Sequence, residues 1–417
     1  MISLRTLVIA EGLPYPSLVG KDLRNWQNIC GLCSVSQVGV FGLCSNDRRR
    51  ENQPPHLKFW CSSIDAALAY PPPKHVLTAA QGWPLYSQGH PADLYYSETA
   101  AAEIAHLMAR FKPQIVVVEG LWLYRYIEIL KQFHCRIVLD CHNVEAVLFQ
   151  EIADATAGDE LSARLIRKLL PSRTKMIEQK AVQAVDQIWV CSHNDARLMQ
   201  DLYGVSKKVH VVANGIEVAT YEAGCARQCQ RPEEVNPTAK VLIFPAFFGY
   251  KPNILAAFFL INQVFPRIAS IFPDCQLLLA GDSPSLEIMA QAQREPRIKV
   301  TGGVPDMRPY LAAASAMLVP LFQGGGTRFK ILEGFGSKVP VISTTKGAEG
   351  LSVQDGIHLM FAETADEFVN AIARLWSDDD LLQSLVTNGL ELVKQSYSSP
   401  VIRRQIAEAI AQLSFDR

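Results

Sequence analysis

The sequence contains no apolar run near the ~18 residues that a membrane-spanning helix needs. The longest run, Ile254–Ile261, has the length of a helix segment in a protein core. At the start of the chain, Leu4–Ala10 lacks the long apolar region and the small-residue cleavage site of a signal peptide. It is typical instead of a buried first strand. These absences predict a cytoplasmic protein.

Net charge is also nearly absent, because 40 lysines and arginines are balanced by 41 aspartates and glutamates. The formal charge of −1 therefore gives no general indication of nucleic acid or of an acidic partner. The composition, with 49% hydrophobic and 19% charged residues, is typical of a globular protein. A length of 417 residues, at about 150 residues per domain, predicts two or three domains.

The ten cysteines lack the arrangement of a zinc site. Cys30 and Cys33 form one close pair, and Cys225 and Cys229 form another, but the pairs are far apart in the sequence. Several other cysteines lie in or beside apolar runs, where cysteine behaves as a small hydrophobic residue. We therefore expect neither a bound metal nor a disulfide.

Short apolar runs alternate with longer helical patterns along the chain. Because these runs show little polar alternation, they predict strands buried on both faces, as in a parallel sheet. The pattern is poor across 46–90, where we expect long loops, and it fails between Glu217 and Ala239. The predicted strands are Leu4–Ala10, Val35–Leu43, Gln114–Glu119, Arg136–Asp140, Ile188–Cys191, Val209–Ala213, Val241–Pro245, Gln276–Ala280, Ile298–Thr301, Ala316–Leu321, Val339–Ser343 and Ile357–Phe361.

This alternation predicts an α/β protein with two successive doubly wound, Rossmann-like domains. We assign residues 1–216 to the first domain, 217–239 to a linker and 240–398 to the second domain. Residues 399–417 form a predicted C-terminal helix, for which we consider packing back on the first domain. Sheets of this kind bind ligands at the carboxyl ends of their strands, so the two domains are expected to face a cleft.

The most informative segment is Gly324–Glu333, which reads GGGTRFKILE. Its glycines allow backbone amides to approach a ligand closely, and a helix predicted to begin at Thr327 favours negative charge at its N-terminus. Arg328 and Lys330 add two cations, and a carboxylate follows one turn later. This combination suits a nucleoside diphosphate. A glycine-rich turn before a surface helix is the alternative.

Segments in the same half of the chain carry a resemblance to a known family. They are Phe248–Asn253, Ala280–Asp282, Gly303–Tyr310, Gly324–Glu333, Lys338–Thr344 and Gly347–Leu351. Weaker counterparts in the first half are Asp140–Glu145, Val190–Ser192 and Asn214–Glu217. In their order and spacing, these segments resemble the retaining nucleotide-sugar glycosyltransferases of the group-4 class, which have the two-domain GT-B fold.

The resemblance implies transfer of a sugar from a nucleoside diphosphate sugar to an acceptor, with retention of the anomeric configuration. The donor, expected to carry UDP or GDP, would bind mainly the second domain. The acceptor, a glycan, a lipid-linked molecule or a small molecule, would bind the first. No metal or other cofactor is implied, because cations and helix ends hold the diphosphate. The leaving phosphate would help to deprotonate the acceptor. Relatives often act in cell-envelope or exported polysaccharide pathways, and we expect polysaccharide biosynthesis here.

The resemblance also implies residue roles on the donor side. Arg328 and Lys330 would be catalytic, since they stabilise the departing diphosphate more strongly in the transition state than in the ground state. Glu333 would accept hydrogen bonds from ribose hydroxyls. The alternatives are a structural ion pair for Arg328, a solvated surface position for Lys330 and an exposed helix carboxylate for Glu333. The other donor-binding candidates are Gly20, Asn214, Gly249, Gly281, Gly325, Gly326 and Thr327, several of which ordinary turns would also explain.

The sequence departs from the family pattern at two places. Gly325 stands where members usually carry a glutamate that contacts the hydroxyls of the donor sugar. We expect backbone amides to replace that side chain. In addition, Gly249-Tyr250-Lys251 stands where many members have an arginine and a lysine. The first departure leaves the identity of the donor open. At the second, Lys251 is either a partial substitute or a solvated lysine.

Acceptor-side candidates follow the predicted strand that ends at Asp140. His142 is the third catalytic candidate, because it can donate to a sugar hydroxyl or orient the acceptor. Asn143 and Glu145 can bind sugar hydroxyls, or cap the next helix, and Asp140 can fix His142. Glu119 ends another strand at the same edge and is a further candidate.

Three questions stay open at this point. The predicted helix Ser162–Val185 carries basic residues beside leucines, which suits either peripheral contact with an anionic membrane or a solvated face. Flotation with anionic liposomes distinguishes these two. A nucleotide-sugar epimerase or phosphorylase of similar fold, or a non-catalytic binding protein, is the alternative function. The sequence does not determine the sugar, the nucleotide, the acceptor or the linkage.

Overall fold

The computed structural model of the chain describes residues 4–15, 20–44, 53–65, 90–155, 161–226, 231–326 and 328–413. The chain divides into two compact units. The first consists of Met1–Asn214 with Ile402–Arg417, and the second of Gly215–Val401.

The first unit contains a sheet of seven parallel strands in the order β3-β2-β1-β4-β5-β6-β7. Its strands are β1 (Arg5–Ala10), β2 (Gln37–Gly42), β3 (Phe59–Ser62), β4 (Ile115–Glu119), β5 (Arg136–Cys141), β6 (Gln187–Val190) and β7 (Val209–Val211). Its helices include α1 (Gly20–Leu32), α2 (Glu98–Phe111), α3 (Tyr124–Leu130), α4 (Glu145–Asp154), α5 (Leu161–Ala184) and α6 (His193–Tyr203). The central strands are buried on both faces, as their apolar runs predict.

The second unit contains six parallel strands in the order β10-β9-β8-β11-β12-β13. They are β8 (Lys240–Pro245), β9 (Cys275–Ala280), β10 (Ile298–Gly302), β11 (Ala316–Val319), β12 (Val341–Ser343) and β13 (Met360–Phe361). The helices of this part of the chain are α7 (Val218–Ala226), α8 (Lys251–Phe259), α9 (Phe265–Ile271), α10 (Leu286–Ala292), α11 (Arg308–Ala312), α12 (Phe329–Gly336), α13 (Ala365–Ser377) and α14 (Asp379–Leu392). The prediction of two parallel α/β domains is therefore confirmed.

The final helix, α15 (Ser399–Ala411), belongs to the first unit from Ile402 onward. Its Gln405 Oε1 accepts a hydrogen bond from the backbone N–H of Ala213 at 3.0 Å. Gln187 of β6 donates in turn to the backbone carbonyl of Ala409 at 2.7 Å. These bonds tie the end of the chain to the edge of the first sheet.

Four sequence predictions of secondary structure are wrong in detail. Strand β3 lies within 46–90, where we expect long loops and predict no strand, because four residues at a sheet edge give too short a signal. Helix α7 lies in the predicted linker. The last predicted strand, Ile357–Phe361, is shorter in the structure and spans Met360–Phe361. Helix α12 begins at Phe329, with Arg328 in an extended conformation before it, whereas we predict a start at Thr327. Thr327 itself lies outside the described residues.

One helical stretch among the described residues, Lys251–Ile271, has the length and the mean hydropathy of 1.6 that a membrane-crossing helix needs. Leu260, Phe265 and Ile268 are nearly or fully buried in the second unit, so its apolar residues contribute to that core. The stretch is interrupted by a π-helical turn just before Pro266, as the missing N–H of proline predicts.

A buried histidine gives the first unit a pH-dependent stability. His90 Nδ1 accepts from the backbone N–H of Ala92 at 3.1 Å, so Nε2 carries the proton and donates to Thr174 Oγ1 at 3.0 Å. Protonation of Nδ1 would break this arrangement. Burial, above all, lowers the pKa of His90 to about 4. Because the folded state then binds fewer protons than the unfolded state, the stabilisation is complete above pH ~6.5 and is lost as pH falls towards 4.

We expect this loss to amount to about 3 kcal/mol between pH 7 and pH 4. Urea unfolding at several pH values measures it as the difference between the wild type and His90→Phe, since the other titrating groups cancel. Substitution of the exposed His106 by phenylalanine is the matched control. A difference that stays constant with pH would show that His90 does not carry the effect.

Candidate functional site

The glycine-rich segment of the second unit joins the end of β11 to α12. Gly324 and Gly326 have φ angles of 100° and 77°, which residues other than glycine rarely adopt. The Arg328 guanidinium donates to the carbonyl oxygens of Gly325 and Gly324, the latter at 2.7 Å. Arg328 therefore holds the loop in shape and places its positive charge against it.

Lys330, in the first turn of α12, is a half-buried cation. Its Nζ donates to Asn253 Oδ1 at 3.3 Å and lies 4.5 Å from the centre of the Phe244 ring. Burial, followed by repulsion from Arg328, lowers the pKa of Lys330 to about 7. An anion bound here would restore the charge of Lys330 and would be attracted to both cations. The loop and the helix start thus form a site that suits a phosphate group.

Glu333 follows one turn after Lys330, and each group influences the pKa of the other. Glu333 Oε1 accepts a hydrogen bond from the Tyr221 hydroxyl at 2.8 Å. Burial raises the pKa of Glu333, while the bond from Tyr221 and the charge of Lys330 lower it. The structure thus brings three sequence-predicted residues together and adds two that sequence reasoning missed, Asn253 and Tyr221.

Two other glycines predicted on the donor side, Gly249 and Gly281, have packing roles in the structure. A Cβ atom on Gly281 would lie 1.9 Å from the carbonyl oxygen of Ala246. The backbone N–H of Gly281 donates to Thr301 Oγ1 at 3.2 Å. A Cβ atom on Gly249 would lie 2.4 Å from the Phe247 ring. These two glycines therefore allow the loops after β8 and β9 to pack closely.

The first unit contains a buried ion pair that sequence reasoning missed. Arg24 of α1 donates from Nε to Asp140 Oδ2 at 2.8 Å, and from Nη2 to Asp140 Oδ1. Arg24 also donates to the Val212 carbonyl and to Asn214 Oδ1, both at 2.8 Å. Asn214, predicted on the donor side, thus lies in a network of the first unit. The sequence signal for Arg24 was the polar inner face of α1, where a core helix would carry apolar residues.

His142 lies beside this ion pair, just after β5. Its Nε2 is 3.3 Å from Asp140 Oδ2 and 3.6 Å from Glu119 Oε2, so Asp140, Glu119 and His142 form one cluster. Burial lowers the pKa of His142, but the two carboxyl groups outweigh it and raise the value to about 9. Burial and the nearby Asp140 raise the pKa of Glu119 to about 8. For Asp140, the charges of Arg24 and His142 exceed the effect of burial and hold the pKa well below its usual range.

These protonation states define what His142 can do. The imidazolium form directs Nε2–H to the carboxyl groups, and Nδ1 then becomes a second donor. In the described part of the chain, Nδ1 has no protein partner, and the side chain is 18% exposed. A pKa of about 9 favours the charged form of His142, which donates hydrogen bonds, whereas a general base would need a lower pKa.

The spacing of Glu119, Asp140 and His142, whose ligand atoms lie within 4.8 Å of one another, is one that a metal ion can use. The guanidinium of Arg24, however, occupies both oxygens of Asp140. A metal cation here would compete with a fixed positive charge, so the donor set fits hydrogen bonding better than metal binding.

Helix α4 begins immediately after this cluster. Its first two backbone N–H groups, those of Glu145 and Ala146, donate to the carboxylate of Glu178 at 2.8 and 3.0 Å. Glu178, rather than Glu145, therefore caps the helix. Asn143 donates to Glu145 Oε1 at 3.3 Å, and burial, followed by repulsion from Glu178, raises the pKa of Glu145 to about 7.

Gly20 is the first residue of α1 and is exposed. Residues 16–19 before it lie outside the described part of the chain. The structure therefore places Gly20 at a helix start after the loop that follows β1, without defining a contact for it.

Two family models match the chain. Residues 59–220 match the glycosyltransferase family 4 domain, and residues 239–378 match the glycosyl transferases group 1 domain. Among curated proteins, none matches the sequence.

Solved structures of similar fold cover nearly the whole chain. Sucrose-phosphate synthase from Thermosynechococcus elongatus superposes with a TM-score of 0.74 at 16% identity, over 98% of each chain. HepE from Anabaena, solved with UDP and glucose, gives 0.68 at 13% identity over 98% of this chain and 99% of HepE. A glycosyltransferase from Rickettsia africae gives 0.66 at 12% identity over 99% of this chain and all of the other. At these identities, the likeness establishes the fold.

The chain has two α/β units with parallel sheets, and a match to the family 4 domain is followed by a match to the group 1 domain. The chain is a glycosyltransferase with the GT-B fold.

Proposed function

We propose that this enzyme transfers a sugar from a nucleoside diphosphate sugar, with UDP or GDP as the nucleotide, and retains the anomeric configuration. The observation that carries the donor assignment is the arrangement in the second unit of Arg328, Lys330 and Glu333 around one glycine loop and helix start. Two cations suit a diphosphate, and a carboxylate one turn later suits ribose hydroxyls. The complex of HepE with UDP and glucose supports a donor of this class.

In the proposed reaction, the bond between the anomeric carbon and the diphosphate oxygen breaks, and its electron pair leaves with the diphosphate. Arg328 and Lys330 stabilise the charge that develops on that oxygen. The acceptor oxygen forms its bond to the anomeric carbon from the same face, and its proton passes to the leaving phosphate. No protein base and no metal are required by this scheme. Amides of the loop, at Gly325 and Gly326, take the place of the glutamate that many relatives carry.

On the first unit, we propose that the acceptor is held by the residues that follow β4 and β5. His142 donates from Nδ1 to a sugar oxygen of the acceptor. Asn143 and Glu145 bind further hydroxyls, while Asp140 and Glu119 orient His142. The acceptor is a glycan, a lipid-linked molecule or a small molecule.

We also propose a cytoplasmic location, which the cysteines support. Within the described side chains, eight cysteines are free thiols, as in a reducing compartment. Peripheral membrane contact through α5 stays a prediction. Its Lys168 and Lys175 are exposed, but Leu170 is buried against Phe149 and so belongs to the core.

A thermal-shift screen of nucleotide sugars tests the donor assignment. We expect the sugars of one nucleotide to raise the melting temperature by several degrees, because a ligand at about 100 times its Kd stabilises the folded state by roughly 2.7 kcal/mol. The free nucleosides, which lack the diphosphate, are the control. If no UDP or GDP sugar changes the melting temperature, the donor assignment is wrong.

The same donors then distinguish the reaction classes. Incubation of the donor alone would reveal an epimerase, because an epimerase converts it without an acceptor. Product NMR after transfer reports the anomeric configuration. Donor binding without transfer to any acceptor of a broad panel would instead indicate a binding protein.

A further inference from the structure

We infer that Tyr221 is a positioning residue, which fixes one oxygen of Glu333 so that the other oxygen receives a ribose hydroxyl of the donor. The inference rests on the proposed function, because it needs a nucleotide beside Glu333. Tyr221 lies on α7, in the stretch that the sequence predicts to be a linker.

The contact is a direct hydrogen bond between two side chains. The Tyr221 hydroxyl donates to Glu333 Oε1 at 2.8 Å. Burial, and then the charge of Glu333, raises the pKa of Tyr221, so the hydroxyl remains a donor at every working pH. A carboxylate whose Oε1 is occupied in this way presents its other oxygen in a defined direction.

The sequence allows this contact because Gly336 lies on α12 three residues after Glu333. A Cβ atom on Gly336 would lie 2.7 Å from Ile216 Cδ1 and 3.4 Å from Tyr221 Cβ. The missing side chain therefore lets the segment that carries Tyr221 approach α12 closely.

The stretch that carries Tyr221 also contacts Lys394 and Tyr397. The backbone N–H of Ile216 donates to the carbonyl of Tyr397 at 2.8 Å, and Lys394 forms an ion pair with Glu222 at 3.0 Å. The Tyr221 hydroxyl thus approaches Glu333 from a helix that is bonded just before its start, at Ile216, and again at Glu222. Such support is what a positioning residue requires, because an unsupported hydroxyl would not restrict the rotamer of Glu333.

Tyr221 also controls the charge of its partner. Burial raises the pKa of Glu333, and the bond from Tyr221 is the leading influence that lowers it. Removal of the hydroxyl would therefore favour the protonated acid, which accepts hydrogen bonds from ribose less well than the carboxylate does.

The test compares UDP with 2′,3′-dideoxy-UDP by calorimetry, with the corresponding GDP pair if UDP does not bind. The variants are Tyr221→Phe, Glu333→Gln and the double variant. We expect the wild type to prefer the nucleotide with ribose hydroxyls about tenfold, as hydrogen bonds to charged groups allow. Tyr221→Phe should lose most of this preference but bind the dideoxy nucleotide as the wild type does. The double variant should lose no more than Glu333→Gln does.

Tyr310→Phe is the matched control, because the Tyr310 hydroxyl also approaches a glutamate of the second unit, Glu234, at 3.5 Å. It should keep the full preference. A second readout is the pH below which UDP affinity falls, which should be higher in Tyr221→Phe than in the wild type.

Each other outcome is decisive. Equal weakening of both nucleotides by Tyr221→Phe would mean that Tyr221 only supports the fold, and an unchanged preference would mean that it does not position Glu333. Either result overturns the inference and leaves the proposed donor class intact. Failure of the wild type to bind any of the nucleotides would overturn the proposed donor class, and the inference with it.

Discussion

Replacement of Lys330 by alanine should lower kcat/KM for sugar transfer by about 10²- to 10³-fold, the usual loss when one charge-stabilising donor is removed. The reason is the environment of its ammonium group. Burial and the charge of Arg328 lower the pKa of Lys330 to about 7, so keeping Lys330 protonated costs free energy in the protein without ligand. A bound diphosphate offsets this cost. An interaction of this kind strengthens as charge develops on the leaving group.

The pH dependence of the reaction checks this cause. Because Lys330 loses its proton as pH rises above about 7, kcat/KM of the wild type should fall on that side of the profile. At pH 8, nucleotide binding should take up protons, which calorimetry in buffers of different ionisation enthalpy measures. Both effects should disappear in Lys330→Ala and in Lys330→Met, which keeps most of the side-chain volume.

Lys299→Ala, at an exposed lysine of β10, is the matched control and should leave the kinetics unchanged. The melting temperature of Lys330→Ala should stay close to that of the wild type. Wild-type kcat/KM in this variant would contradict the assignment of the donor site. Arg328→Ala should also lose activity, but with a change of loop structure, because its guanidinium bonds two carbonyls of the glycine loop.

Replacement of Arg24 by methionine should destabilise the protein by about 3–5 kcal/mol, the usual cost of breaking a buried ion pair from one side. Arg24 and Asp140 have side chains that are 2% and 0% exposed, so water cannot solvate the carboxylate that is left behind. The change should also reach His142, whose Nε2 lies 3.3 Å from Asp140. We expect the pKa values of both Asp140 and His142 to rise when the guanidinium is absent, because a nearby positive charge is removed.

Urea unfolding at pH 7 measures this loss. Lys131→Met is the matched control, because Lys131 pairs with Glu128 at 2.8 Å on the surface of the same unit, where both side chains are largely exposed. It should cost less than about 1 kcal/mol. The double variant Arg24→Met/Asp140→Asn should be more stable than Arg24→Met, since the buried carboxylate that lost its guanidinium partner is also removed. If Arg24→Met matched Lys131→Met, the ion pair would have no role in stability.

Much of the fold could be predicted from the sequence because its signals are local. Apolar runs without polar alternation predicted strands such as β4 and β5, and each of them is buried. Gly324–Glu333 predicted a loop and a helix start with two cations, and the structure places Arg328 and Lys330 there. The residue types themselves limit what this segment can bind.

Other parts could not be predicted because their causes are distant in the chain. Arg24 and Asp140 are 116 residues apart, and no local sequence pattern around either residue indicates its partner. Tyr221 lies in a stretch whose composition resembles a linker, yet its hydroxyl bonds Glu333, 112 residues later. Strand β3 has four residues, too few for a periodic signal, and is fixed by its pairing with β2.

By itself, the sequence determined most of the strands and helices and which chemical groups stand at the ends of strands, since periodicity, glycine and charge act over a few residues. Only the tertiary structure decided the ionisation of these groups. His142 becomes a stable cation, Glu119 a weak acid and Lys330 a weak base because burial and neighbours from distant elements change the free energy of each charge. Desolvation depends on everything that surrounds a group, and that is known only once the chain has folded.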